Sequence, residues 1–347
     1  MRSEFNNLIV EIAMNLIYKP LKYLFIASVI LGLIEVLYIN RIINFHSGTF
    51  SDLNPVSEMT TKKDLPVILV LGDEVSANPD SYVAMLRAKH PGYKIVNGAV
   101  PNSGIIEMEN FGEKLIKEHN PDILIFQVNP ANDLYDIRKG TDRSEAGLLS
   151  GITNSITDNF KFLDYISYKL SNSANDLAGQ SFDGLEPENI AYAEKINIKA
   201  LGPGSYERQK GLTENSTLLK TMRQTDMETL LSRMNNFFCK MKNGSKVFVL
   251  VTPHCSWIDK YYMDNMSLAG VELTEDFIKF PGIYPFVKAL SDYTYSNQKV
   301  KVVDPTLMLR HFDSTSKRLY KLRSNTLNRN GHEVLCSTIS GFITLSI

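Results

Sequence analysis

The side chains of this 347-residue sequence that could move protons or stabilise charge gather in a few polar segments, most of them directly after an apolar run. Gly72-Asp73-Glu74 follows the run VILVL, and Asn97-Gly98-Ala99-Val100-Pro101-Asn102-Ser103-Gly104 follows Lys94 to Val96. Asn129-Pro130-Ala131-Asn132-Asp133-Leu134 follows ILIFQV, and Thr252-Pro253-His254-Cys255 follows KVFVLV. A last group, Arg323-Ser324-Asn325-Thr326-Leu327-Asn328-Arg329-Asn330-Gly331-His332, opens the final periodic stretch. Carboxylates, amides and an imidazole of this kind serve acyl transfer when a base lies within reach of a nucleophile and fixed donors surround the developing oxyanion.

The elements that must hold these groups alternate. Val67 to Leu71, Lys94 to Val96, Ile123 to Val128, Lys246 to Val251 and Lys299 to Val303 read as short buried parallel strands. Between them, Asp80 to His90, Gly104 to His119, Thr225 to Lys242 and Tyr284 to Ser296 read as helices, with a last one from about Arg329 to Leu345. Asn120-Pro121 ends the second of these and Gly244 stops the third. Alternation of this kind predicts a three-layer α/β/α domain on a five-stranded parallel sheet, with ligands outside the carboxyl ends of the strands. Residues 137–225, rich in Ser, Asn and Gly, interrupt the pattern as an insertion.

Taken in order, four of these segments resemble the conserved blocks of the SGNH (GDSL-type) hydrolases. The resemblance covers about residues 64–345 of a domain placed at 64–347, apart from the insertion, and implies a flavodoxin-like sheet. It implies a nucleophilic serine in Gly-Asp-Ser after the first strand, where Glu74 stands. A glycine after the second strand and an asparagine in Gly-x-Asn-Asp after the third would complete the oxyanion hole; Ala99 and Asn132 occupy those places. An aspartate and a histidine would precede the Leu-Asn-x-x-Gly-His turn, where Arg323 (or Ser324, if the loop shifts by one) and Thr326 stand. Asn132 keeps its family identity, as do Asp133, Leu327, Asn328, Gly331 and His332. His332 is expected to cap the last helix, as the resemblance implies, or to pack against the turn.

Threonine has no titratable nitrogen, and a glutamate nucleophile would leave a mixed anhydride with no base to activate water. The family's ordinary mechanism should therefore be absent. Ser76 is aimed elsewhere by the turn. His254 is the possible substitute, against the commoner reading of a structural histidine. An imidazole set against a hydroxyl or thiol in this crevice would overturn the expectation of inactivity. Glu74 either seals the remnant oxyanion hole, made by Asn132 and the backbone N–H groups near Glu74 and Ala99, or points into water. His46, His90, His119 and His311 have no evident acidic companions, and no phosphate cradle, zinc spacing or dinucleotide fingerprint occurs. No cofactor or metal is expected.

Ahead of the domain, the sequence reads as an amphipathic segment at 1–20, a transmembrane helix at 21–43 and a linker at 44–63. Leu8, Ile9, Ile12, Ala13, Leu16 and Ile17 share one helical face that could lie on a membrane before Pro20 turns the chain. Asn40, Arg41 and Ile42 after the apolar run favour an uncleaved anchor over a signal peptide. Arg2, Lys19 and Lys22 precede the span and Arg41 follows it, which leans towards an exported, periplasmic or extracellular domain. Glu35 within the span reads as a carboxylate near the headgroups or as a contact to a partner membrane protein. The cysteines Cys239, Cys255 and Cys336 read as buried thiols.

A net charge of −1 excludes the basic excess of a nucleic-acid binder. Three functions remain. The leading one is a catalytically silent, membrane-anchored binding or scaffold component at the cell envelope; the family resemblance implies surface-polysaccharide modification as its setting, with a glycan or membrane protein as partner. The others are an active esterase or acyltransferase on acylated glycans with a non-standard catalytic set, and a subunit of a membrane complex.

Overall fold

The computed structural model describes residues 2–40, 42–54, 65–100, 103–130, 133–134, 137, 162, 165, 212–220, 223–268, 273–274, 277, 282–295, 297, 299–320 and 327–345. Most of the predicted insertion, including all of 138–161 and 166–211, lies outside them.

Apolar runs bounded by turns become strands because both faces of a parallel sheet are covered. β1 (Val67–Leu71), β2 (Lys94–Asn97), β3 (Ile123–Val128), β4 (Lys246–Val251) and β5 (Val300–Val303) form one sheet in the order β2-β1-β3-β4-β5, every pair parallel. Leu69 stands beside Val96 and Leu124, and Phe126 beside Leu71 and Val249, so the register keeps each layer of branched side chains level.

A short helix, α2 (Glu74–Ala77), follows β1, and α3 (Tyr82–Lys89) crosses to β2. α4 (Ile105–His119) crosses to β3 and ends where Asn120 adopts a left-handed conformation at φ 45°, as the Asn-Pro pair predicts. α5 (Leu212–Thr217) and α6 (Arg223–Phe238) precede β4; α7 (Lys260–Leu268) and α8 (Pro285–Tyr295) lie between β4 and β5. α9 (Thr306–Phe312) and α10 (Arg329–Thr344) complete the domain. α4, α6 and α8 cover one face, where Phe126 meets the rings of Phe237 and Phe238 at 5.7 and 5.3 Å. α3 and α10 pack on each other over the opposite face, where Phe248 meets Phe342 at 6.0 Å.

Helix α6 ends at Phe238, before the predicted stop; Gly244, at φ +88°, instead makes the turn into β4. Cys255 and Cys336 are buried as expected, but Cys239 is exposed just past the end of α6, and none of them is in a disulfide.

At the N-terminus, α1 (Arg2–Ile39) is a single helix with Pro20 inside it. The turn expected at Pro20 is absent: a proline deletes one backbone bond, while the apolar residues on both sides keep propagating the helix. Its segment Tyr18–Ile39 is long and apolar enough to cross a bilayer, as either an anchor or a signal sequence. Leu21, Phe25, Val29, Ile30, Leu33 and Val36 lie exposed along it.

The end of α1 is docked. Tyr38 is buried, donates its hydroxyl to Leu53 O and stacks on Phe45 at 3.9 Å. The buried Glu35 carboxylate accepts the Phe162 N–H at 3.1 Å, an intrachain partner that neither sequence reading of Glu35 foresaw. Phe45 also meets Phe162 and Tyr165 at 5.4 and 5.1 Å. Within the stretch expected to be linker, Gly48–Leu53 forms a 3-10 turn that packs beside β2.

Gly331 shows why the last turn needs its glycine. A Cβ there would run into the backbone oxygen of Leu319 and reach Leu327 Cδ2 at 2.6 Å. Gly331→Ala is expected to destabilise the domain by about 1–3 kcal/mol through overpacking. Gly341→Ala, with nothing within 4 Å, is the control and should be neutral or slightly stabilising. Thermal unfolding of the full chain in detergent checks both; equal melting temperatures for the two variants would refute the packing argument.

Candidate functional site

The chain leaves β1 towards β2 on one side and returns to β3 on the other, so the carboxyl ends of β1 and β3 part at the point where strand order reverses. Asp73 stands there. With extended backbone at φ −93° and ψ −155° it caps α2, and its Oδ1 accepts the Val75 N–H at 2.9 Å. The carboxylate is nearly enclosed; the side-chain amide of Gln127 also donates to Oδ1, and Asn129 Nδ2 reaches Oδ2 at 3.4 Å. Burial raises the Asp73 carboxyl above its ordinary range, and these donors pull it back.

Gln127 organises the rest. Its Nε2 also lies 3.3 Å from Thr252 Oγ1, and its Oε1 accepts the Ser76 hydroxyl at 2.5 Å. With the Ser76 proton so committed, the Tyr82 hydroxyl at 2.7 Å must be the donor to Ser76 Oγ. A one-way chain of hydrogen bonds therefore runs from Tyr82 through Ser76 and Gln127 to Asp73. Burial pushes the Tyr82 phenol upward, which keeps it a donor. Ser76 is fully buried in this chain, away from solvent, in line with the expectation that the turn aims it elsewhere. Gly72 makes room: a Cβ there would stand 2.8 Å from both Gln127 Cβ and Ser76 Oγ. Sequence reasoning missed Gln127 and Tyr82. The available signal was a glutamine inside an otherwise apolar strand, whose amide must find partners there.

Glu74, at the family's serine position, opens α2 and is half-buried, its charge favourable at a helix N-terminus. Ala99 is buried, but its N–H does not await an oxyanion: it donates to Asn97 Oδ1 at 3.1 Å. Asn97 Nδ2 in turn holds Ser76 O at 2.9 Å, and the Val100 N–H holds Gly72 O at 2.9 Å. The Ala99 and Val100 N–H groups are thus spent on local bracing. After β3, Asp133 Oδ2 accepts the Asn129 N–H at 2.7 Å, which fixes the exit of the strand. Asn132, Arg323, Ser324 and Thr326 lie outside the described residues, and so does any meeting of Glu74 with Asn132.

His254 is fully buried just past β4. Its Nδ1 lies 2.7 Å from Ser256 Oγ and 3.3 Å from the Ser256 N–H, so the ring caps the 3-10 turn Cys255–Trp257. Accepting at Nδ1 places the proton on Nε2, which is buried and meets no hydrogen-bond partner. Cys255 Sγ lies 4.0 Å from the same Nδ1. An imidazole does stand against a hydroxyl here, the arrangement that would overturn inactivity in an open crevice, but both groups are buried. Burial drives the imidazole down to about 3 and the Cys255 thiol up to about 12. A base that weak gives a hydroxyl almost no activation at neutral pH. His332 does not cap α10: Asn328 does, accepting the Gly331 N–H at 3.2 Å, while the His332 ring packs 6.5 Å from that of Tyr82.

No family model matches the sequence, and no curated protein does. Solved structures similar to this chain include the acetyl xylan esterase AlAXEase, at 10% identity and a TM-score of 0.41, covering 80% of this chain and 99% of that one. A lipase/acylhydrolase from Enterococcus faecalis is similar at 12% identity and a TM-score of 0.40, over 80% and 95% of the two chains. A catalytic mutant of an acetylxylan esterase from Geobacillus stearothermophilus is similar at 13% and 0.38, over 79% and 92%. Likeness of this degree specifies no chemistry, which rests on the side chains above.

Two outcomes test the site. Gln127→Leu strips the Asp73 carboxylate and the Ser76 hydroxyl of a partner each and should cost about 2–4 kcal/mol; a loss within experimental error would show that the chain of bonds is dispensable. The folded-state pKa of His254 lies below its unfolded value, so its contribution to stability is complete above pH 6.5 and is lost as pH falls towards about 3. Unfolding free energies of wild type should therefore fall, by up to about 1.4 kcal/mol per pH unit across that window, more steeply than those of His254→Gln. Parallel pH profiles for the two proteins would contradict a neutral, buried imidazole.

Proposed function

We propose that this chain is a membrane-anchored, SGNH-like protein that performs no serine-type acyl transfer and works as a binding or scaffold component at the cell envelope. The observation that carries the reading is the state of the switch point. A glutamate opens α2 where a nucleophile would stand, and the N–H groups of Val75 and Ala99 are committed to Asp73 and Asn97. The docked end of α1 favours an anchor over a cleaved signal, since a segment removed after export has no use for a buried carboxylate and a stacked tyrosine. The same contacts weigh against the membrane-complex reading, because the chain supplies a partner to its own Glu35. Surface-polysaccharide modification is the setting that the motif resemblance implies, with an acylated glycan as the ligand class.

One observation favours a second reading, an esterase or acyltransferase on acylated glycans: the His254–Ser256 pair at 2.7 Å. Opening of the 3-10 turn would be needed to expose that hydroxyl and raise the imidazole into a useful range. Purified full-length protein, given an activated acetyl ester and a serine-reactive fluorophosphonate, separates the two readings. Turnover equal to that of Ser256→Ala, with no labelling, is expected. Turnover abolished in both His254→Ala and Ser256→Ala would overturn the silent-domain reading.

A further inference from the structure

We infer that an aromatic collar of Tyr38, Phe45, Phe162 and Tyr165 lies in the headgroup layer of the bilayer that α1 crosses, seating the domain there with the β2 edge of its sheet towards the membrane; the inference rests on the anchor reading above.

Exposure along α1 changes at one level. Every described side chain of residues 18–30 is exposed, whereas Leu31 and Ile34 are partly covered and Glu35 and Tyr38 are buried. Those four positions share one helical face, and Leu33, Val36 and Ile39 on the rest of the same turns stay exposed. Part of the cover is chain that folds back. The Ile42 N–H returns to Leu37 O at 2.9 Å, and Phe45 then stacks on Tyr38. His46 and Asn54 exchange two hydrogen bonds, backbone N–H to Oδ1 at 3.0 Å and Nδ2 to backbone O at 2.7 Å, which close the loop that holds the 3-10 turn. That turn packs beside β2, the edge strand. Tyr165 joins from the other side, against Phe45 at 5.1 Å and His46 at 5.3 Å. Contact with the domain thus begins inside the last turns of the apolar helix itself.

Depth selects the lipid layer. Residues 18–34 rise about 26 Å at ~1.5 Å each, close to the ~30 Å of a hydrocarbon core. Residues 35–39 add about 7 Å, the thickness of one headgroup layer. Lys19 and Lys22 then fall near the opposite boundary, where long side chains reach back to the headgroups. Everything docked on α1 demands the same placement. The Glu35 carboxylate and the irregular backbone of residues 42–47 are too polar to stand against acyl chains, and the headgroup layer admits both. It is also the layer where tyrosine rings settle, with an apolar body and a hydroxyl that needs water or a partner. Phe45, Phe162 and Tyr165 are half-buried, so each keeps part of its ring for the lipid.

The full chain in phosphatidylcholine nanodiscs tests the collar, using lipids that carry a nitroxide quencher either at the headgroup or near the acyl-chain end. Single substitutions add an indole to the buried Trp257, whose emission in wild type is the baseline: Phe25→Trp in mid-span, and Phe45→Trp or Tyr165→Trp in the collar. Melting temperatures verify folding, and the two collar variants serve as independent checks. The added emission of Phe25→Trp should be lost most with the deep nitroxide, and that of both collar variants most with the headgroup nitroxide. No loss for Phe25→Trp in either lipid overturns the anchor reading itself. Deep quenching of Phe25→Trp with both collar variants left bright overturns the seating alone, since the domain then stands clear of the bilayer. Collar variants quenched most by the deep nitroxide overturn it as well, because the rings then lie below the headgroups.

Discussion

A carboxylate enclosed where a sheet changes direction has to be surrounded by donors, and the Asp73 interactions set the shape of everything near them. The side chain ends β1, starts α2 and draws donors from the next strand in space, Gln127, and from the residue after it, Asn129. Gln127 then has one oxygen to satisfy, which fixes Ser76, and Ser76 fixes Tyr82. Leaving any of these groups buried and unpaired costs more than a typical hydrogen bond contributes, so the network holds as a unit.

The same network occupies backbone donors described at the strand ends. In a hydrolase, donors at this place must face an empty position that the developing oxyanion will fill. Here the Val75, Ala99 and Val100 N–H groups close on Asp73, Asn97 and Gly72 within the protein. Preorganisation survives, but it is directed inward. The buried His254–Ser256 pair has the partners of a catalytic dyad without its access or its basicity.

The strands were legible in the sequence because a buried parallel sheet leaves continuous apolar runs, and β1, β3 and β4 match those runs end to end. Helices with full apolar stripes were legible within a few residues. α2, α5, α7 and α9 were not. α2 is too short for periodicity and exists because Asp73 caps it, while α9 presents apolar residues on the side a soluble pattern would make polar. Glu74, Ala99 and His254 were found as positions, but what their neighbours do with the local donors depends on Asn97, Gln127 and Ser256, which only tertiary contact brings together. Pro20 misled for a physical reason: one missing backbone bond is a local penalty, and a long apolar helix outlasts it.

The contact between Glu35 and the Phe162 N–H joins residues 127 positions apart. During synthesis the carboxylate therefore emerges long before the backbone group that it will hold. Until residue 162 has been made and carried to the same side, Glu35 must stay hydrated or lean on its other contacts. Closing of this bond is in this way timed by a segment far behind the helix in the chain.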